Sequence, residues 1–190
     1  MRIAVIGTGN IGGSLGTKWR AAGHDVVFGA RSPAAAGPGG APVRSVADAL
    51  TDAEVVLLAV PGTAAAQVVA EHGQALAGKV IIDAANNIGA AEVNSRAAVV
   101  DCAPDASYAR AFSTLGWENF VDPPAGAALF FAADPAARPA VTELITATGL
   151  EPAYVGGGGA AHIVDGLLPL WFALVQQNGG DRKLAFRVVR

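Results

Sequence analysis

With 190 residues, 52% of them hydrophobic, the chain has the size of one domain with a large core, and its formal net charge of -3 excludes the clustered basic surface that nucleic acid or an anionic membrane would require. A single cysteine, Cys102, excludes an internal disulfide, and no Cys/His spacing fits a metal site, which together point to a reducing compartment and hence the cytoplasm. The mean hydropathy of +0.40 is high, yet the apolar residues come in short runs broken by glycine, proline or charge, too short to span a membrane.

The first apolar run, Arg2 to Ile6, ends at a glycine and passes into Asn10 to Ala22, where Ile11, Leu15 and Trp19 recur at steps of four. This predicts a strand, a tight turn and a helix rather than a secretory leader. Gly23 suits a helix C-terminal cap, and His24 to Phe28 forms a second strand. Such a strand-helix-strand crossover is right-handed and predicts a parallel sheet covered by helices. Pro33 to Pro42, rich in Ala, Gly and Pro, reads as a loop. After a short extended piece near Val43 come a helix from Ser45 to Leu50, capped by Ser45, and a strand from Glu54 to Val60. The apolar run of that strand suits burial on both faces, and Pro61 ends it.

The alternation continues with a helix over Thr63 to Leu76, a strand over Lys79 to Asp83, a helix over Ala91 to Cys102, and strands Tyr108 to Phe112 and Ala127 to Ala132. A helix over Pro135 to Thr148 and a strand over Glu151 to Val155 follow, then a glycine loop, Gly156 to Gly159. Ala160 to Gln176 is an apolar helical stretch that Pro169 is expected to kink or split. Its part Leu167 to Val175 is hydrophobic nearly all round, as in a buried helix or a dimer seam. The tail Lys183 to Val189 fits strand or helix equally. No repeat or linker divides the chain, so the expectation is a doubly wound α/β sheet, mostly parallel, forming a single domain over residues 1–190, with residues from about 160 packed on it as a C-terminal helical extension.

The hexamer Gly7-Thr8-Gly9-Asn10-Ile11-Gly12 means little in a chain of 24 glycines until its context is considered. It lies between a strand and an amphipathic helix, where the first glycine makes the turn, the second admits a pyrophosphate and the third lets helix pack on strand. The helix N–H groups then face the phosphates of a dinucleotide at the favourable end of the helix dipole. At the end of the second strand, where a carboxylate would select NAD, stands Gly29, followed by Ala30, Arg31 and Ser32. A guanidinium without a competing carboxylate favours the 2′-phosphate of NADP, unless Arg31 is merely a solvated loop residue. Asp25 lies at the wrong end of the strand for the ribose. Val60-Pro61-Gly62 and Asp83 to Asn87 are expected at the same carboxyl edge. There Pro61 and Asn86 either contact the nicotinamide half or simply stop a strand and make a turn.

These residues resemble the NADP-dependent oxidoreductases of the deazaflavin coenzyme F-420 type. The likeness rests on the opening MRIAVIGTGNIGGSLG, then GARSP, AVPG, IDAANN and ARAFSTLG in this order, and the closing Leu170-Trp171 followed by Leu184-Ala185-Phe186-Arg187. The resemblance implies a Rossmann-type domain, a homodimer, and hydride exchange between NADPH and the deazaflavin, with a flavin used by related domains. It places Thr8, Gly9, Asn10 and Ile11 at the pyrophosphate, Arg31 and Ser32 at the 2′-phosphate, and Val60 and Pro61 beside the cofactor. The family often has Lys-Ala-Phe-Asn-Thr where this chain has Arg110-Ala111-Phe112-Ser113-Thr114, and Asn-Pro where it has Asn86-Asn87.

Hydride transfer between stacked planar cofactors needs alignment and little acid-base chemistry. Consistently, neither Tyr108 nor Tyr154 has a lysine four places on, and Lys18, Lys79 and Lys183 fall on no strand end facing the cofactor, which weakens a hydroxyacid-dehydrogenase reading. The alternative enzyme is an NADPH-dependent reductase of a small carbonyl or imine, for which Ser113, His162, Asp165 and Tyr108 are the available proton donors. His162 follows a glycine loop at a helix start and reads equally as structural or solvated, and Asp165 as an ordinary helix residue. His24 and His72 carry no expected chemistry. Trp117 and Trp171 wall an aromatic pocket or belong to core and interface. A non-catalytic NADP-binding module is the reading from a different class.

Overall fold

In the computed structural model, which describes residues 1–189, β1 (Arg2–Ile6) turns into α1 (Asn10–Ala21), and β2 (Asp25–Gly29) leads through a loop to β3 (Val43–Arg44) and α2 (Val46–Leu50). β4 (Val55–Leu58), α3 (Gly62–Leu76), β5 (Val80–Asp83), α4 (Arg96–Cys102) and β6 (Ser107–Arg110) continue the alternation. α5 (Glu118–Val121), β7 (Ala128–Ala133), α6 (Arg138–Ala147), β8 (Glu151–Gly156), α7 (Ala161–Asp165) and α8 (Leu167–Gln177) complete it. The eight strands form one sheet in the order β3-β2-β1-β4-β5-β6-β7-β8. As expected it is doubly wound and mostly parallel; β6 and β7 alone pair antiparallel. The 6–7 connection carries only the one-turn α5, so the chain re-enters the sheet from the edge where β6 left it.

The order reverses between β1 and β4, and these two strands explain why the sequence reads as unbroken apolar runs there. Val5 and Leu57 pack against Leu15, Trp19 and Phe28 on one face. Ala4, Ile6, Val56 and Leu58 pack against Leu50, Val69 and Leu76 on the other. The fully buried Trp19 places its indole N–H 3.0 Å from the Leu144 carbonyl, tying α1 to α6, and its ring meets Phe112 edge-on at 5.6 Å.

Local signals held best where they were self-contained. Ser45 caps α2, its hydroxyl accepting the Asp48 N–H at 3.1 Å, so Ser45→Ala is expected to lower stability by about 1 kcal/mol in a denaturant titration. The helix expected from Ala91 begins only at Arg96. Backbone groups of the intervening stretch are used elsewhere: the Val93 carbonyl accepts the Asn87 N–H at 2.9 Å, and the Ser95 N–H bonds the Asp83 carboxylate at 2.6 Å. The apolar stretch 160–176 does split, but at Gly166 rather than Pro169, which leaves Pro169 in the first turn of α8 where its missing N–H disturbs nothing. The tail is neither strand nor helix; a single antiparallel bridge joins Phe186 to Ala128. By length and composition Gly158–Gln177 is apolar enough to cross a membrane. Here it is divided into a short 3-10 turn, α7 and α8, with Val164, Leu168, Trp171 and Val175 buried in the fold.

Candidate functional site

The glycine loop after β1 shows three different constraints at its three glycines. Gly7 has φ +112°, and a Cβ there would lie 2.4 Å from the Ala59 carbonyl oxygen where β4 ends. A Cβ on Gly12 would lie 2.2 Å from the Gly7 carbonyl oxygen, so the start of α1 sits directly on the turn. Gly9 has nothing within 4 Å of its Cβ position. The turn and the helix packing therefore need the outer glycines, while the middle one opens on solvent, as a pyrophosphate cradle requires. Gly9 is the N-cap of the 12-residue α1, and no side chain caps this end, so its first N–H groups remain available to an anion. Thr8, Gly9 and Asn10 are exposed, and Ile11 is half-buried beside them.

Gly29, at the end of β2, sits in crowded packing: a Cβ there would meet Ile6 Cδ1 at 2.7 Å and Ala49 Cβ at 3.3 Å under α2, so a side chain would require Ile6 to shift. Arg31 and Ser32 follow in the exposed loop, and Arg31 makes no ion pair among the described residues. Asp25 sits at the opposite end of β2. Gly62 has its Cβ position 2.2 Å from the Asn86 carbonyl carbon, so the Val60-Pro61 end of β4 and the Asn86 end of β5 form one rim.

Beside that rim lies a buried network that sequence reasoning did not anticipate. Arg110, fully buried at the end of β6, donates from Nη1 to the carbonyls of Asp83 (3.1 Å) and Ala85 (2.6 Å), from Nη2 to Asn86 Oδ1, and from Nε to Asp165 Oδ1 at 2.7 Å. Asp83 accepts the Ala85 and Ser95 N–H groups and the Tyr108 hydroxyl, and Arg110 Nη1 stands 3.4 Å from its Oδ1. Burial pushes the Asp83 carboxyl up, while Arg110, the two N–H groups and Tyr108 draw it back. Burial and then the neighbouring Asp83 hold the Tyr108 phenol well above its ordinary range. The signal was present in the register, since β5 and β6 set Asp83 beside Arg110, but only a known strand order exposes it.

The network removes two of the proton donors expected from sequence. Tyr108 directs its hydroxyl to Asp83, and Asp165 accepts Arg110 on one oxygen and Asn94 Nδ2 (2.6 Å) on the other. Asn86 is also less free than expected: its Oδ1 accepts Arg110 and its Nδ2 donates to the Ser113 carbonyl at 2.8 Å, so its backbone is what faces the rim. The Ser113 hydroxyl is covered from solvent and has no hydrogen-bond partner among the described residues. His162 lies in a cleft of about 330 Å³ with Glu92, Asn94, Arg96 and Asp165, which adjoins the Arg110 network through Asp165 and is lined by no residue of the Gly7 to Gly12 loop. Trp171 is core, its indole N–H bonding the Leu184 carbonyl at 2.8 Å. Tyr108→Phe is expected to destabilise the fold by about 1–3 kcal/mol by leaving Asp83 one donor short, read from the urea midpoint, and to leave turnover within a few-fold of wild type.

Residues 2–87, which contain the glycine loop, Arg31, Ser32, Val60, Pro61 and Asn86, match the model of the family described as "NADP oxidoreductase coenzyme F420-dependent", the family the sequence resembles. Among solved structures, a candidate F420-dependent NADP-reductase from Arthrobacter sp. FB24 is 24% identical, with a TM-score of 0.87 over 100% of both chains. A hypothetical protein from Sinorhizobium meliloti is 28% identical, with a TM-score of 0.70 over 85% of this chain and 87% of that one. An imine reductase variant from Myxococcus stipitatus, solved with NAD+, is 19% identical, with a TM-score of 0.68 over 93% of this chain and 63% of that one.

Proposed function

We propose that this chain, whose residues 2–87 are those of an NADP-dependent oxidoreductase family, moves a hydride between NADPH and a deazaflavin of the coenzyme F-420 kind or a flavin. The observation that carries the reading is the loop geometry: an open Gly9 between two crowded glycines, supported by the exposed Arg31 and Ser32 just after β2, Arg31 making no ion pair among the described residues. NADPH supplies the hydride from its nicotinamide ring. The chain holds the pyrophosphate on the Thr8 to Gly12 backbone and lays the nicotinamide against Val60, Pro61 and the Asn86 backbone. The acceptor side favours planar ring chemistry, because Tyr108 and Asp165 are committed to the Arg110 network and Ser113 is covered. Ile88, 67% exposed on the loop after Asn86, adds an apolar surface to that edge.

Reduction of small imines is the second reading, supported by the likeness to imine reductases over 93% of the chain. The two separate by following NADPH oxidation with F-420, FMN, and panels of cyclic imines and carbonyls. Specificity constants at least about 100-fold higher for the deazaflavin or flavin are expected. Faster imine or carbonyl turnover overturns the first reading for the second, and tight NADPH binding without any turnover leaves a redox-inactive binding module. We further propose a homodimer, because α8 turns Leu170 and Phe172 outward, and a cytoplasmic setting, which the lone free Cys102 suits. Light scattering is expected to give twice the 19.0 kDa chain mass, and Phe172→Asp the single mass.

A further inference from the structure

We infer that Arg110 is the positioning residue of the hydride-transfer edge, acting through Asn86, an inference that rests on the reading of that edge as the nicotinamide rim. Residues Asp83 to Asn86 leave β5 where the chain turns out of the sheet, the Asp83 carbonyl accepting the Ala111 N–H at 3.3 Å as the last bond of the ladder. The guanidinium binds the segment beyond it: it takes the carbonyls of Asp83 and Ala85 and the side-chain oxygen of Asn86, three acceptors within four consecutive residues. Asn86 is then gripped from the opposite side by its bond to the Ser113 carbonyl. Its peptide is also wedged against Gly62, where even a methyl group would be 2.2 Å from the Asn86 carbonyl carbon. The ends of β4, β5 and β6 thus converge on Asn86, with Arg110 on its side chain and on the carbonyl before it, and Gly62 against the peptide after it.

An arginine is needed for this, because its donors form a planar fork that reaches several elements at once, whereas a lysine is one point charge. Arg110 also carries α7, through Asp165, onto the same edge. Asp83 and Asp165 both face the buried cation, so a neutral replacement leaves two carboxylates uncompensated and is expected to unfold the protein. Arg110→Lys keeps the charge and loses the fork, which makes it the informative variant.

The test is a double-mutant cycle with Arg110→Lys and Asn86→Ala in the full chain, read by turnover, by the NADPH dissociation constant and by the emission of bound NADPH. Each single variant is expected to lower kcat about 10- to 100-fold while the dissociation constant moves less than about threefold, because the phosphate cradle is untouched. The double variant is expected to be no worse than the poorer single one, and both singles should shift the bound-NADPH emission alike. Asp165→Asn, which loosens α7 but leaves the fork on Asp83 to Asn86, is expected to lower the melting temperature with a smaller change in kcat. Multiplicative losses in the cycle, or unchanged kcat and emission in Arg110→Lys, overturn the inference. Loss of NADPH affinity in step with melting temperature reduces Arg110 to a structural residue and overturns it equally. Wild-type protein that fails to bind NADPH sinks the nicotinamide reading itself, while binding without turnover leaves the emission arm to decide.

Discussion

Replacing Arg31 with glutamate is expected to raise the Michaelis constant for NADPH about 100-fold and to change that for NADH less than about threefold. The exposed Arg31 makes no ion pair among the described residues, so its guanidinium is available to grip a 2′-phosphate through paired charge-assisted hydrogen bonds. Bonds of this kind contribute about 1.5–3 kcal/mol, and the substituted carboxylate adds repulsion to their loss. NADH carries no 2′-phosphate, so the same substitution leaves its principal contacts intact. Arg31→Lys retains charge without the fork and is expected to fall between. Equal effects on both nucleotides would remove the phosphate grip, and with it the preference for NADP. The fold should not respond, because Arg31 makes no buried contact.

The glycine loop offers the second large effect, and here the two substitutions should separate stability from binding. In Gly12→Ala the new methyl group would sit 2.2 Å from the Gly7 carbonyl oxygen, a backbone atom of the turn that cannot swing aside. A loss of about 3 kcal/mol or more in stability is expected, together with NADPH affinity. Gly9→Ala meets nothing within 4 Å, and the φ of -72° at Gly9 suits alanine, so the melting temperature should stay within about 2 °C of wild type. Its methyl group would instead occupy the space facing the N-terminus of α1, and the NADPH dissociation constant is expected to rise at least about tenfold. Thermal melts and fluorescence titrations of the two variants report both quantities. Wild-type affinity in Gly9→Ala would place the pyrophosphate elsewhere.

The contrast between legible and illegible features follows the range of the interactions behind them. The Ser45 cap and the strand-turn-helix start were readable because donor and acceptor lie within a few residues of each other. The start of α4 was misread because Asp83, twelve residues upstream, takes the Ser95 N–H that a longer helix would use. Pro169 is the expected breaker of the C-terminal helix, yet the division between α7 and α8 falls at Gly166. The proton donors proposed from residue type alone were the least secure. Tyr108 and Asp165 are as suitable chemically as any donor, but their partners Asp83 and Arg110 lie 25 and 55 residues away in the chain.

What the amino-acid sequence determined by itself is the strand-turn-helix that opens the fold. Its three glycines and the free N–H groups of α1 lie in one continuous stretch, so their arrangement follows from local turn and helix geometry. What only the tertiary structure decided is the state of the polar groups around the ends of β5 and β6. Whether Asn86, Tyr108, Asp165 and Ser113 are free, committed or covered depends on a buried guanidinium that reaches across β5, β6 and α7, and burial with its hydrogen-bond partners has no trace in local sequence pattern.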